Sequence, residues 1–190
     1  MQAIVLAGGL GTRLRSVVDD LPKPMAPIGD RPFLSLLFDQ LLRHGCSRTY
    51  VSVGYMAETI TGHFGQAYGG MALEYVREDE PLGTGGGLRL ALSAIEDERA
   101  LVLNGDTYFD IDLAAIYRGH VEAQRRATLV LRRLDDADRY GTVVVEDEIV
   151  TGFQAAGHAG PALINGGTYV LQKTLFDGFA LPRAFSFEQD

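Results

Sequence analysis

Cysteine is all but missing. Cys46 stands alone among 190 residues, so no internal disulfide can form, and a solitary thiol of this kind belongs in the apolar interior of a protein made for a reducing compartment. Basic charge is also scarce: 17 Lys and Arg face 25 Asp and Glu, for a net charge of -8. That balance excludes the basic face of a general nucleic-acid binder and leaves room only for local basic pockets. Long apolar runs are absent too. Nothing approaches the roughly 18 apolar residues of a membrane helix, and the N-terminus, MQAIVLAGG, has no basic region and too short an apolar run for a signal peptide. The expectation is a soluble, cytoplasmic protein without nucleic-acid or membrane partners. Histidine is sparse and scattered: His44, His63, His120 and His158 make no metal-spaced pair and no Ser-His-Asp set. Linkers, repeats and low-complexity segments are missing as well, and with 46% apolar residues the chain predicts a single domain with a real core.

What is present alternates. Ala3 to Leu6 reads as a buried strand. Arg31 to Arg43 carries Phe33, Leu34, Leu37, Phe38, Leu41 and Leu42 at helical spacing, with Gly45 as a stop. A strand at Thr49 to Val53, a helix at Ala57 to Phe64 and a strand at Ala72 to Val76 follow. Then come a glycine cluster at 83 to 87, a helix from Leu88 to Ile95 and the strand Ala100 to Leu103. The pattern predicts an α/β fold: a Rossmann-like, open, mostly parallel sheet with helices on both faces. Beyond a helix at about Leu113 to Gln124, the segments Thr128 to Arg132, Thr142 to Val145, Ile149 to Phe153 and Ile164 to Leu171 are strand-like. They predict a β-rich second half that extends the sheet and covers one side of a pocket.

Such sheets bind ligands at the carboxyl ends of their strands, and the first strand ends in LAGGLGTRL, residues 6 to 14. Gly8, Gly9 and Gly11 let backbone amides approach a phosphate or a base, and Arg13 adds a guanidinium fork suited to phosphate oxygens. An ordinary glycine turn would look similar. A Walker A loop is excluded because Thr12-Arg13 follows Gly11, and the dinucleotide fingerprint because Leu14 stands where a third small residue is needed. Further on, Leu21-Pro22-Lys23-Pro24 aims one lysine from a stiffened loop. EDEPLGTGGG, residues 78 to 87, is a second glycine loop, and NGDTYFD, residues 104 to 110, puts Asp106 at the end of a buried strand. A carboxylate there suits Mg²⁺, which takes one or two carboxylates plus substrate phosphate oxygens; a helix cap or turn is the other reading.

GGLGTRL, LPKPM, EPLGTGGG and NGDTYF, in this order and on this strand pattern, resemble the sugar-nucleotidyltransferase family, the NDP-sugar pyrophosphorylases, over the whole chain. Within it LRSVVDDLPKPMAPI, NGDTYFD and INGGTYVL look most like the heptose-1-phosphate guanylyltransferase branch, with mannose-1-phosphate guanylyltransferases as close neighbours. The resemblance implies the nucleotide-diphospho-sugar transferase fold, with a nucleotide-binding part at about residues 1–110 and a sugar-binding part at about 111–190. It implies GTP and a sugar 1-phosphate as partners, Mg²⁺ as cofactor, and a product used for surface or capsular glycans. Arg13, Lys23 and Asp106 would be catalytic. Leu6, Ala7, Gly8, Gly9, Gly11 and Thr12, with Glu80, Pro81, Gly83 and Thr84, would hold the nucleotide, Glu80 accepting from the guanine edge. Asn104, Tyr140, Gly141, Gln154 and Asn165 would line the sugar.

Mg²⁺ would sit between Asp106 and Asp190, with Glu188 as an outer partner, and the ending FSFEQD suggests that a C-terminal helix normally follows. Many relatives carry an acidic residue and a lysine where this chain reads Gln154-Ala155-Ala156-Gly157. Arg183 is a candidate for the missing contact. The fold family also contains non-catalytic regulatory subunits, the competing reading. A homo-oligomer is left open.

Overall fold

The computed structural model describes residues 1–9 and 21–188. Arg13, Gly11, Thr12 and Asp190 lie outside the described residues. In chain order the elements are β1 (Gln2–Leu6), a 3₁₀ turn (Lys23–Met25), β2 (Pro27–Ile28), β3 (Arg31–Pro32), α1 (Phe33–Arg43), β4 (Arg48–Val53), α2 (Ala57–Phe64), β5 (Ala67–Tyr68) and β6 (Met71–Arg77). They continue as α3 (Gly83–Ala94), β7 (Arg99–Asn104), α4 (Leu113–Glu122), β8 (Ala127–Leu134), β9 (Thr142–Glu146), β10 (Ile149–Gln154) and β11 (Ala162–Gln172).

One sheet runs β10-β9-β11-β7-β1-β4-β6-β5, with β8 also on β11. The central strands β7, β1, β4 and β6 are parallel, and both of their faces are covered, which is why they read as continuous apolar runs. Alternation sorts the side chains. Ala3, Val5, Val51, Val53, Leu101 and Leu103 pack with α1, α2 and Leu113 of α4 on one face. Ile4, Tyr50, Ala100 and Val102 pack with Leu88, Ala91 and Leu92 of α3, and with Ile95 just after it, on the other. Burying one such aliphatic side chain stabilises by roughly 1.5–3 kcal/mol. Cys46 joins the first cluster, and burial pushes its thiol up to about 12, so the interior placement expected for it holds.

The second half joins the same sheet: β11 lies antiparallel to β7 on one side and to β8 on the other, as the strand-extension reading requires. Two boundaries differ from expectation. Helix α1 begins at Phe33 and not Arg31, because a residue before proline is pushed to extended backbone; Arg31–Pro32 pairs with Pro27–Ile28 instead. Helix α3 begins at Gly83 and not Leu88, so the glycine cluster lies inside the helix. Glycine disfavours helix locally, and here tertiary contact overrides that preference: an added Cβ would lie 2.2 Å from the Phe185 ring at Gly85 and 2.6 Å from the Arg183 carbonyl oxygen at Gly86. Among the described residues no helix is long and apolar enough to cross a membrane.

Candidate active site

The chain proceeds from β1 to β4 to β6 on one side and returns to β7 on the other side of β1. In such sheets the ligand crevice lies beyond the carboxyl ends of the strands where the order reverses, here β1 and β7, and candidate residues from both strand ends are placed there. Leu6 closes β1, Ala7 donates its amide to Ser52 O (2.9 Å), and Gly8 follows. Gly9 has open space around its Cβ position. Across the crevice, Asn104 closes β7. Gly105 donates its amide to Leu6 O at 2.9 Å, and a Cβ on it would stand 2.6 Å from that same oxygen. Only glycine lets the two strand ends approach so closely, and the next residue, Asp106, is thereby set at the mouth.

Lys23 is brought to it from 83 residues away, and its Nζ donates to Asp106 Oδ2. The 3₁₀ turn that carries it is anchored by buried Pro24 and Met25, with Met25 N bonded to Pro22 O at 2.7 Å. The ammonium is therefore presented from a braced loop. The other Asp106 oxygen accepts from Thr107 Oγ1 at 3.3 Å. Lys23 and Asp106 are about one-third exposed, open enough to exchange partners with an incoming ligand.

The second glycine loop is placed differently. Thr84 Oγ1 accepts the Phe187 amide at 3.0 Å, and Phe185 O accepts the Gly85 amide at 2.9 Å. A Cβ on Gly83 would meet Phe185 O at 2.5 Å. These residues thus hold the C-terminal segment against the start of α3. Glu80 and Pro81 are exposed, and Glu80 is ion-paired with Arg183. Arg183, the candidate for the contact missing near Gln154, is thus engaged by Glu80 at the start of α3.

On the opposite wall Asn165 organises a cluster. Its Oδ1 accepts the Gly167 amide at 2.9 Å, and its Nδ2 donates to Tyr169 Oη at 2.6 Å and to Glu188. Gly166 and Gly167 form a bulge against β8, since a Cβ at Gly166 would lie 2.8 Å from Val130 O and Gly167 has φ +69°. The bulge re-aims Asn165. Tyr169 is buried. Its hydroxyl is pushed up to about 12, first by burial and also by nearby Glu188 and Asp106, against bonds from Asn165 and Asn104. Asn104, Asp106, Asn165 and Glu188 thus surround one hydroxyl, so Glu188 lies at the site through Asn165. Tyr140 is half-exposed, a Cβ at Gly141 would lie 3.0 Å from Gln154 O, and Gln154 Oε1 accepts from Thr142 Oγ1 at 3.2 Å. Those three residues belong to the rim formed by β9 and β10.

Two participants escaped the reading of motifs. Tyr169 looks like any core aromatic in INGGTYVL, and only the Asn165 bulge reveals its hydroxyl. Glu78 is the first acid of the exposed-looking run EDE, yet its carboxylate turns inward against Ser52 and Leu82.

The nucleotidyl transferase family matches residues 2–183. The chain belongs to that family. It is 43% identical over 190 residues, all of this chain and 83% of the relative, to D-glycero-alpha-D-manno-heptose 1-phosphate guanylyltransferase of Aneurinibacillus thermoaerophilus. It is 45% identical over 190 residues, with 84% of the relative covered, to the protein of the same name in Campylobacter jejuni. The crystal structure of HddC from Yersinia pseudotuberculosis complexed with GMP-PN superposes with a TM-score of 0.86 at 35% identity, across 100% of this chain and 84% of that one. As a nucleotidyl transferase with this sheet topology, the chain has the fold its strand alternation and motif order predicted.

Proposed function

We propose that this nucleotidyl transferase joins GTP and D-glycero-α-D-manno-heptose 1-phosphate to give GDP-heptose and pyrophosphate, supplying surface or capsular glycan synthesis. The observation that carries the reading is the Lys23–Asp106 pair, set across the crevice between β1 and β7, in a chain whose full length is similar to heptose 1-phosphate guanylyltransferases.

A phosphate monoester loses its second proton near pH 6, so the sugar phosphate is already a nucleophile at neutral pH and needs no general base. One of its oxygens forms a bond to the α-phosphorus in line as the bond to the β-phosphate's bridging oxygen breaks, and pyrophosphate leaves with that electron pair. The obstacle is the meeting of two polyanions, which makes positioning and charge neutralisation the substance of catalysis. Lys23 would lie against the α-phosphate and the incoming sugar phosphate. Arg13 would neutralise the β- and γ-phosphates. Leu6, Ala7, Gly8, Gly9, Gly11 and Thr12 would hold the base and triphosphate, with Pro81, Gly83 and Thr84 backing the base. Glu80 would accept from the guanine N1–H and N2–H₂, its carboxylate held in place by Arg183. Asn104 and Asn165 would bind sugar hydroxyls, with Tyr140, Gly141 and Gln154 at the rim.

Asp106 fits Mg²⁺, because its carboxylate is at the mouth and partly exposed and this ion needs only one or two protein carboxylates beside substrate oxygens. Asp190 would supply a second. When bound, the ion offsets charge on the reacting phosphates. Consumption of GTP and an unpaired, buried Cys46 suit the cytoplasm.

A matrix of four NTPs against heptose, mannose and glucose 1-phosphates, read by pyrophosphate release with Mg²⁺, tests the reading. GTP with the heptose phosphate should give the highest kcat/KM. A preference for UTP or dTTP would overturn the base assignment, one for mannose 1-phosphate the sugar assignment, and nucleotide binding without any turnover would favour a regulatory subunit.

A further inference from the structure

Helix α1 buries a long polar side chain in the middle of an apolar stretch. Gln40 is 1% exposed and follows Leu37 and Phe38 and precedes Leu41, all fully buried. An apolar residue would be buried there at less cost. Its Oε1 has no hydrogen-bond partner among the described residues, so the amide is useful at its other end. Nε2 donates to the carbonyl oxygen of Phe109, 69 residues away, at 2.7 Å.

Phe109 lies in the irregular run that leads from β7 to α4 and carries Asp106. In that run Tyr108 Oη also accepts from Arg43 Nη2 of α1 at 3.1 Å, but this contact is exposed. The Gln40 bond is shorter and comes from a buried side chain. On the far side the Phe109 ring lies against the β11 bulge, where a Cβ at Gly166 would stand 2.9 Å from its Cδ1. The loop is thus fastened to α1 and backed by β11.

The same helix supports the other member of the pair. The amide of Phe33, first residue of α1, donates to Ala26 O at 2.9 Å, and the Ala26 amide donates to Lys23 O at 3.1 Å. Met25 is buried in the cluster that contains Leu34, Leu37 and Phe38. Lys23 and Asp106 meet from segments 83 residues apart, and both segments are bonded to α1.

We propose that Gln40 is a positioning residue for the Lys23–Asp106 pair: its buried amide ties the loop of Asp106 to the helix that also carries the Lys23 turn. Helix α1 then sets where ammonium and carboxylate stand relative to each other. The proposal rests on the reading of that pair as the reacting centre. A displacement of about 1 Å can cost roughly 10²-fold in rate, and reacting groups keep their geometry when the residues behind them are locked by packing and hydrogen bonds.

The test compares the full chain as wild type, Gln40→Met, Gln40→Asn, Arg43→Ala, Asp106→Asn and the double variant Gln40→Met with Asp106→Asn. Each is assayed with the nucleotide and sugar phosphate that give the highest turnover. Methionine keeps the length of glutamine without its donor, so the packing of α1 is retained. Gln40→Met should lower kcat roughly tenfold while the KM for each substrate stays within about twofold of wild type. Asparagine keeps the amide but is one methylene too short to reach, and Gln40→Asn should lose as much. Arg43→Ala removes only the exposed tether and should stay within about twofold of the wild-type kcat. With Asp106 already replaced by Asn, Gln40→Met should cost no more than about twofold further, because the group it positions is gone. A merely structural role would cost the same factor in both backgrounds. A crystal structure of Gln40→Met should show the Phe109 carbonyl moved and the contact between Lys23 and Asp106 lengthened or broken.

The proposal fails if Gln40→Met or Gln40→Asn turns over at the wild-type rate, if the Gln40→Met loss multiplies with that of Asp106→Asn, or if Arg43→Ala costs as much. Should Gln40→Met not fold, Gln40→Asn decides by the same readings. A wild-type rate for Asp106→Asn would sink the reading of the pair as the reacting centre, and binding without turnover would sink the reading as an enzyme. In either case the crystal structure still judges Gln40, and a Lys23–Asp106 pair unchanged from wild type would overturn its role.

Discussion

The two halves of the sheet are built to different standards. In β1, β4 and β7 nearly every residue is buried, whereas β8 has none buried and β10 alternates between partly and fully exposed. The parallel half carries Asp106 and receives Lys23 on a turn braced by prolines. The antiparallel half offers Asn165 from a bulge and Gln154 from an edge strand. The difference suits the proposed reaction: a triphosphate would reward a rigid, fixed placement of charge, while a pocket proposed for the sugar would vary with its sugar, and half-exposed strands such as β8 and β10 accept substitution at little cost to stability.

This contrast can be broken by mutation, first in stability. Leu101→Ala in β7, fully buried, should destabilise by about 2–5 kcal/mol, and Ile149→Ala in β10, 59% exposed, by no more than about 0.5 kcal/mol. Chemical denaturation of both would refute the distinction if the losses were alike. In activity, Asp106→Asn exchanges a charged oxygen for a neutral amide of the same size and should lower kcat by roughly 10²-fold or more with an unchanged unfolding midpoint. A wild-type rate would remove Asp106 from the reacting centre. Asn165→Ala, on the other half, should raise the sugar-phosphate KM by roughly tenfold and leave the KM for GTP alone; steady-state kinetics with each substrate varied in turn would show this.

At the junction of the halves, His120 of α4 is 2% exposed, with Nδ1 against Thr128 Oγ1 at 2.9 Å and Nε2 without a hydrogen-bond partner among the described residues. Burial, then Arg99 and Arg125, lower its pKa from the usual 6.5. The unfolded chain therefore binds the proton more readily. This contribution to stability is complete above about pH 6.5 and declines as pH falls from there toward the folded value. Replacing His120 with Gln should flatten that decline in thermal melts at pH 5 to 7. The smallest effect belongs to the β9–β10 turn, where Asp147 and Glu148 both hold positive φ (48° and 62°). Glu148→Gly should stabilise by about 0.5–1 kcal/mol without touching activity, visible as a raised melting temperature.

Much of this was legible locally. Helix α2 and the parallel strands follow from periodicity because their side chains must satisfy two fixed faces, and the four motifs are visible because glycine, proline and an acid at a strand end have local causes. The errors share a physical origin. Pro32 acts on its predecessor by a rule visible in the sequence, and the helix still had to start one residue past it. The glycines of α3 looked like a loop because propensity knows nothing of Phe185, about a hundred residues later, lying on them.

By itself, then, the sequence determined the strand alternation, the order of the motifs and hence the family, all of which arise from neighbours along the chain. Only the tertiary structure decided that Lys23 meets Asp106, that Arg183 belongs to Glu80, that Glu188 reaches Asn165, and that Glu78 turns inward. Each of those pairings joins residues whose local sequence is equally compatible with solvent. Which charge finds which partner is set by how the strand ends are brought together, and that depends on the packing of both sheet faces at once.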